Sequence, residues 1–222
     1  NIWNMGQLGG NNTTACNGQW ATGEMGYKNG SYFFCSGNYV IPIGRGCSSC
    51  GGHGSQKVAF VTAESNPSRG NFGGLAGADT FCQNAATDAG LSGTYMAWLA
   101  DSTGEPASRF SADIRGGAYS IVRTDGTTLA TNWANLIDGS LDARLDVTEH
   151  GVAIESTASF AHSNVDTDGT AISTTNHCTN WTSGSGGLSA VRARFSLADG
   201  NWTNNTNTQT CSSLRSIYCF EQ

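Results

Sequence analysis

Eight cysteines spread over 222 residues constrain this chain more than any other feature of its sequence. Disulfides persist in oxidising compartments, whereas cytosolic thiols stay reduced. Lysine occurs only at Lys28 and Lys57, while Asn and Thr are abundant, a composition that also suits an oxidising environment. We therefore expect the chain to be secreted, or exposed on a cell surface or a virion, with its cysteines paired.

Charge and hydropathy argue against nucleic acid binding and against a transmembrane segment. Seventeen acidic residues against eleven basic ones give a net charge of −6, and no basic stripe is present to neutralise a phosphate backbone. No apolar run approaches the roughly 20 residues that cross a bilayer. We expect neither nucleic acid binding nor a membrane span.

The chain divides by pattern into four parts. Isolated apolar residues without periodicity mark residues 1–14 as a tail. Short β-prone runs separated by Asn-Gly and Gly-Asn predict a small β-meander over residues 15–45. A Gly- and Ser-rich linker follows at 46–56, and a larger α+β domain at 57–222.

The β-meander module is too short to bury much apolar surface, so a Cys16–Cys35 bridge is expected to close it, contributing roughly 3 kcal/mol. Its residues Cys16, Gly23, Glu24, Tyr27, Cys35, Gly37 and Asn38 resemble a Cys-closed hairpin module of bacterial and phage surface proteins. In the linker, Cys47 and Cys50 form a Cys-x-x-Cys. We predict a structural disulfide there, with redox and zinc roles as the alternatives.

Regular elements of the large domain are predicted mainly near its two ends. The apolar spacing of Ala78, Phe81, Cys82, Ala85 and Ala89 predicts a helix at 76–89, which Gly90 ends. The other predicted elements are strands at 57–63, 95–100, 118–123 and 215–220 and a short helix within 101–110.

A long stretch from about residue 124 to 200 shows little periodicity. Compact domains rarely contain so much irregular chain unless it is pinned or functional. A Cys82–Cys219 bridge, worth roughly 4 to 5 kcal/mol, and a Cys178–Cys211 bridge, worth roughly 3.7, would pin it.

This order of elements resembles the C-type lectin-like fold, and more narrowly its bacterial surface domain in the endostatin-like branch. The matching strings include Gly74-Leu-Ala-Gly-Ala-Asp79 before Cys82, Ala97-Trp98-Leu-Ala-Asp-Ser102, Asn132-Trp133-Ala-Asn-Leu136, Cys178-Thr-Asn-Trp-Thr-Ser183 and Tyr218-Cys-Phe-Glu-Gln222. The resemblance covers nearly all of residues 57–222. It implies two helices, a mixed antiparallel sheet and long loops pinned by disulfides.

Calcium is the candidate cofactor. The calcium-binding tripeptide of sugar-binding family members is here Glu105-Pro106-Ala107, which lacks the amide side chain, and Trp202 is followed by Thr203 and Asn204. Asn164, Asp166 and Asp168, followed by Gly169, match the first half of an EF-hand-type loop better. Because Thr175 stands where the closing acid would be, the alternative is an Asp-Gly turn.

No catalytic residue is predicted, and we do not expect an enzyme. The histidines at 53, 150, 162 and 177 lie in loop-like segments outside any nucleophile or zinc-helix motif.

Aromatic rings among hydroxyl and amide side chains suggest sugar recognition instead. Trp181, Trp202 and Tyr119 lie among Asn, Thr and Ser, and we predict them, with Asn201, as ligand contacts. Trp98 and Trp133, in apolar strings, are predicted to be core residues. A packing role is the alternative for Trp181.

Two functions remain as hypotheses. The first is an adhesin or lectin-like protein that binds a glycan or a protein receptor through its loops. The second is a structural subunit of a filament, surface layer or virion, assembled through residues 1–14.

Overall fold

A computed structural model describes residues 25–28, 31–36, 39–43, 56–63, 69–117, 119–155 and 160–222. Contacts between Cα atoms divide the chain into two units, residues 1–53 and 54–222. The division falls within the predicted linker at 46–56. The predicted tail at 1–14 lies outside the described residues, as do Cys16, Cys47 and Cys50 of the two predicted N-terminal disulfides.

The first unit contains an antiparallel β-meander. Its strands are β1 (Met25–Lys28), β2 (Ser31–Ser36) and β3 (Tyr39–Ile43), in the order β1-β2-β3. Lys28 pairs with Ser31 across the first turn, and Ser36 pairs with Tyr39 across the second. These pairings are those expected of the hairpins that Asn-Gly and Gly-Asn predicted.

A mixed five-stranded sheet forms the centre of the second unit. Its strands are β4 (Gln56–Val61), β5 (Tyr95–Ala97), β6 (Ser120–Arg123), β7 (Thr128–Ala130) and β11 (Tyr218–Glu221), in the order β5-β11-β4-β6-β7. The β4–β6 pair is parallel and the other pairs are antiparallel. The chain is therefore a mixed α/β protein.

Four right-handed α-helices accompany the sheet in the described part of the chain, together with one 3₁₀ turn at Gly200–Trp202. They are α1 (Leu75–Asp88), α2 (Pro106–Arg109), α3 (Ala112–Gly116) and α4 (Trp133–Leu136). In α1, Ala78 and Cys82 are buried, as the apolar spacing predicted, and Ala86 one turn further on is buried too. Phe81 and Ala85 of the predicted apolar set are only partly buried. None of the helices within the described ranges is both long and apolar enough to cross a lipid bilayer.

A second sheet has three strands, two of which lie inside the stretch 124–200 that was predicted to be irregular. Strands β8 (Phe160–His162), β9 (Ser189–Arg194) and β10 (Thr208–Thr210) pair antiparallel in the order β10-β9-β8. The prediction that residues 124–200 lack regular structure is thus wrong for β7, α4, β8 and β9. These elements have three to six residues each, which is too short for a clear periodic signal.

The core of the second unit is centred on Trp98. Its ring centroid lies 5.2 Å from those of Trp202 and Phe220, 5.7 Å from Phe110 and 6.0 Å from Trp133. The predicted core position of Trp98 is confirmed, whereas Trp133 is only partly buried and packs against the edge of this core.

Both disulfides predicted for the large domain are present. Cys82 in α1 is bonded to Cys219 in β11, and Cys178 to Cys211. All four cysteines belong to a second apolar cluster, so the bridges are buried.

A left-handed turn follows the first cysteine of the Cys178–Cys211 bridge. Residues 178–181 all have φ between 52° and 57°, which is unfavourable for each of these L-residues. The backbone N–H groups of Phe72, Gly73 and Gly74 all donate to the Trp181 carbonyl, at 2.8 to 3.1 Å. The disulfide and this cluster of donors together hold the turn in place.

Candidate functional site

The two tryptophans predicted to contact a ligand are core residues. Trp181 and Trp202 are both 0% exposed. Trp181 Nε1 donates to the Ala100 carbonyl at 3.0 Å, and the Trp202 ring packs against Trp98. The prediction that their rings face a glycan is wrong, because polar neighbours in sequence do not imply that the ring itself is exposed.

Tyr119 and Asn201 are half-buried and contact different elements. Lys57 Nζ lies 5.2 Å from the centroid of the Tyr119 ring. Asn201 Nδ2 donates to Asp199, and Asn201 Oδ1 accepts from Asn205 Nδ2 at 3.1 Å. Tyr119 is thus covered by a cation, whereas Asn201 belongs to a network of amide side chains.

The proposed calcium ligands already have protein partners. Asn164 is fully buried, and its amide bonds the backbone of Ala100 and Ser173. Asp166 Oδ1 accepts from the Thr167 N–H at 2.7 Å and from Asn204 Nδ2 at 3.1 Å.

Asp168 has the same kind of role. It accepts from both the N–H and the hydroxyl of Thr170, and these hydrogen bonds lower the pKa of its carboxyl group. Among the described residues, no group of three or more His, Cys, Asp or Glu side chains could hold a metal ion. The segment forms an Asp-Gly turn, in which the Gly169 N–H donates to the Asp166 carbonyl at 3.0 Å.

The Glu105-Pro106-Ala107 tripeptide supports this same turn. Glu105 Oε2 accepts from the Ala171 N–H at 2.9 Å, and the Ala107 N–H donates to the Gly169 carbonyl at 3.0 Å. Pro106 occupies the first turn of α2, as its fixed φ favours. The Glu105 carboxylate therefore joins two loops through backbone hydrogen bonds.

A surface that the sequence analysis missed lies on one side of the three-stranded sheet. In the antiparallel register Phe160 is opposite Arg194, and His162 is opposite Arg192. Residues directly opposite each other share a face. Arg215, on the segment that follows β10, reaches the same place. We call Phe160, Arg192, Arg194 and Arg215 the arginine face.

The guanidinium groups of the arginine face surround a single ring. The guanidinium carbon of Arg192 lies 3.9 Å from the Phe160 ring centroid, at stacking distance. Those of Arg194 and Arg215 both lie 5.9 Å from it. Three of the eleven basic residues of this acidic chain thus converge on one half-buried phenylalanine.

Two of these cations have no acidic partner. Within the described residues, no carboxylate lies within 4.0 Å of the Arg192 or the Arg215 side chain. Burial, and then the charge of Arg192, lower the pKa of Arg215. Among the described residues, the positive charges of Arg192 and Arg215 therefore repel each other without compensation from a neighbouring acid.

Neutral side chains accept hydrogen bonds from Arg192 and Arg215. Gln209 Oε1 accepts from Arg215 Nε at 2.8 Å, and Gln209 Nε2 bonds His162 Nδ1 at 2.9 Å. Asn205 Oδ1 accepts from Arg192 Nε at 3.1 Å. Because Asn205 also donates to Asn201, the predicted residue Asn201 lies two hydrogen bonds from the arginine face.

His162 is the buried end of this network. It is 0% exposed, and burial, with a smaller contribution from Arg215, lowers its pKa to about 4. The ring is therefore neutral at pH 7. His177 has both ring nitrogens engaged, with the Thr174 carbonyl and the Asn180 N–H, while His150 is half-exposed.

A cavity of about 590 Å³ opens beside the start of α1. Asp79 and Arg109 line it, and they form an ion pair of 2.6 Å with each other. Asp79 also accepts from the Ala97 N–H, which fixes its position. The charges in this cavity are therefore mutually neutralised, unlike those of the arginine face.

One signal in the sequence could have located the arginine face. Residues 189–194, Ser-Ala-Val-Arg-Ala-Arg, alternate small or apolar side chains with arginines, a strand pattern that carries two cations on one side. Val191 and Ala193 are indeed buried, while Arg192 and Arg194 are half-exposed. No protein-family model matches this chain, and no curated protein matches it in sequence.

Proposed function

We propose that this chain is a non-catalytic extracellular recognition protein that binds a glycan through the arginine face. The observation that carries the proposal is the group of three guanidiniums around the half-buried Phe160 ring. An aromatic ring offers a sugar an apolar platform, and guanidinium N–H groups donate hydrogen bonds to its oxygens. Convergent polar groups beside an apolar surface are the usual composition of a binding site.

Rigidity of the face supports a binding role. Arg192 and Arg194 project from a strand that is paired on both sides, rather than from a loop. Asn205 and Gln209 fix one nitrogen of Arg192 and of Arg215, respectively. A site whose side chains are already held loses little conformational entropy when it binds.

The disulfides support the location and the fold assignment that we propose. Two buried bridges suit an oxidising compartment. Together with the mixed sheet, they are compatible with the C-type lectin-like resemblance. A non-catalytic role also accords with His162 and His177, whose ring contacts are structural.

A glycan array tests the proposal. The intact protein is applied in parallel with millimolar calcium and with EDTA, alongside the variants Arg192→Gln and Arg144→Gln. Arg144 is an exposed arginine outside the arginine face and serves as the matched control. We expect binding by the wild type and by Arg144→Gln, and its loss in Arg192→Gln.

Two results would count against the proposal. Absence of glycan binding in both buffers would refute a lectin function. Binding that Arg192→Gln leaves unchanged would place the site elsewhere on the protein.

A further inference from the structure

We propose that the arginine face is an oxyanion site, at which Arg192 and Arg215 bind a carboxylate or sulfate group of the glycan. The inference rests on the proposed function and specifies the chemical class of its ligand. Neutral sugars need no such concentration of cations, since hydroxyl and amide side chains suffice to bind their oxygens.

The first argument is the uncompensated charge. The chain as a whole has a charge of −6, so acidic residues are available in excess to pair with its arginines. Arg109 and Arg123 do form ion pairs with aspartates, at 2.6 to 2.7 Å. Arg192 and Arg215 do not, within the described residues, although they lie around one ring. A departure of this kind from local charge pairing is typical of a functional site.

The second argument concerns the guanidinium nitrogens of Arg192 and Arg215 that make no hydrogen bond to a described residue. Arg192 uses its Nε for Asn205, and no hydrogen bond from its two terminal nitrogens to a described residue is observed. Arg215 uses Nε for Gln209 and Nη1 for the Leu214 carbonyl, at 2.8 Å each. The terminal nitrogens of Arg192, together with Nη2 of Arg215, are thus available to an oxyanion. A planar guanidinium suits such a group because it can donate two parallel hydrogen bonds.

The third argument is the role of Phe160. Stacking of Arg192 on the ring at 3.9 Å restricts the orientation of the guanidinium plane. The ring is half-buried, and its exposed part can also contact the apolar face of a sugar that bears the anion. One aromatic surface thereby positions both the cation and the ligand.

Charge also favours a single anionic group over a polyanion. A nucleic acid carries a phosphate at every nucleotide and needs an extended basic surface to neutralise them. Here the three arginines occupy one small patch, and the excess of acidic residues in the rest of the chain would repel a long polyanion. We therefore assign the site to an acidic or sulfated sugar rather than to nucleic acid.

Inorganic sulfate is the first probe. Sodium sulfate is titrated into the ¹⁵N-labelled protein at constant ionic strength, with chloride as the reference, and the arginine Nε–Hε signals are followed by NMR. We expect saturable shifts of the Arg192 and Arg215 signals, while the Arg144 signal stays in place. Signals that respond to sulfate no more than to chloride would overturn the inference.

Disaccharides are the second probe. Three with the same backbone are compared by calorimetry: one sulfated, one carrying a carboxylate and one neutral. Arg192→Gln should weaken binding of both charged sugars by roughly tenfold or more, as expected for loss of a charge-assisted hydrogen bond. Arg192→Lys keeps the positive charge but cannot donate two parallel hydrogen bonds, so it should recover only part of the affinity. Arg144→Gln should bind as the wild type does.

These measurements separate failure of the inference from failure of the proposed function. Sulfate binding at Arg192 and Arg215 without binding of any sugar would support the anion site and refute the glycan function. Equal binding of all three disaccharides, unchanged in Arg192→Gln, would overturn the oxyanion inference while leaving a glycan function in place. A short oligonucleotide that binds more tightly than the sulfated disaccharide would overturn the assignment to sugars.

Discussion

The neutral His162 ring makes the stability of this protein depend on pH in a specific way. The unfolded state takes up the histidine proton near the ordinary pKa of about 6.5. The folded state takes it up only near pH 4, because the buried ring resists the charge. The unfolded state therefore binds more protons between these values. The free energy of unfolding should be highest above about pH 6.5 and should fall as the pH drops toward 4.

The size of the effect follows from the two pKa values. A difference of one pKa unit corresponds to about 1.4 kcal/mol, so a fall from 6.5 to about 4 corresponds to about 3 kcal/mol. Stability should thus decrease by about this amount between pH 7 and pH 4 because of His162 alone. Carboxylates also titrate in this range, so a variant is needed to isolate the contribution of the histidine.

His162→Phe is the informative change. It keeps a ring among Phe72 and Trp181, whose centroids lie 6.1 and 5.5 Å from that of His162. At pH 7 it should lower stability by about 1 to 3 kcal/mol, because Gln209 loses its buried acceptor. Toward pH 4 the deficit should shrink by about 3 kcal/mol and could reverse sign, since the phenylalanine has no proton to bind.

Urea unfolding at pH 7, 6, 5 and 4, at constant ionic strength, measures this difference. His150→Gln is the matched control, because it removes another histidine, one whose side chain is 53% exposed. The reasoning is refuted if the His162→Phe and wild-type curves run parallel over the whole range.

Two further predictions concern glycine contacts and the second disulfide. Replacement of a helix glycine by alanine usually stabilises, by up to about 1 kcal/mol, and Gly116→Ala should do so because nothing lies within 4 Å of its new Cβ. Gly77→Ala should instead destabilise by about 1 to 3 kcal/mol, since its Cβ would lie 1.9 Å from the Phe72 carbonyl oxygen. Equal thermal shifts in the two variants would contradict this. The double variant Cys178→Ala and Cys211→Ala should lose roughly 3 to 4 kcal/mol in urea unfolding, and a loss below about 1 would show that the bridge constrains the unfolded chain little.

The helix and the end strands of the large domain could be predicted because their signals are local. The i, i+3, i+4 spacing of apolar residues predicted α1 to within one residue at each end. The apolar runs at both ends of the domain located β4 and β11. The Cys82–Cys219 and Cys178–Cys211 pairings were also predicted, and both are confirmed.

Exposure could not be predicted from composition in the polar region. Trp202 lies between Asn201 and Thr203, yet it is fully buried, and so is Thr203. The Thr203 hydroxyl accepts from Trp98 Nε1 and donates to the Val165 carbonyl. A polar sequence whose hydrogen bonds are made internally packs in the core as an apolar one does.

The arginine face was missed for a different reason. Phe160, Arg192 and Arg215 are separated by more than twenty residues from one another along the chain. The pairing of β8 with β9, and the parallel bridge between Ala161 and Ser216, bring them together. Such long-range pairing has no signature within a short sequence window.

The position of β11 has a consequence for how the large domain folds. This strand is the last one in the sequence, yet it lies between β5 and β4 in the sheet. Until Tyr218–Glu221 is in place, these two strands have no hydrogen-bonded contact with each other, and Cys82 has no access to its partner 137 residues away. Contacts over such separations slow folding, because the loop must close before they form. We therefore expect the sheet to assemble only after the whole domain has been synthesised, with oxidation of Cys82 as a late step.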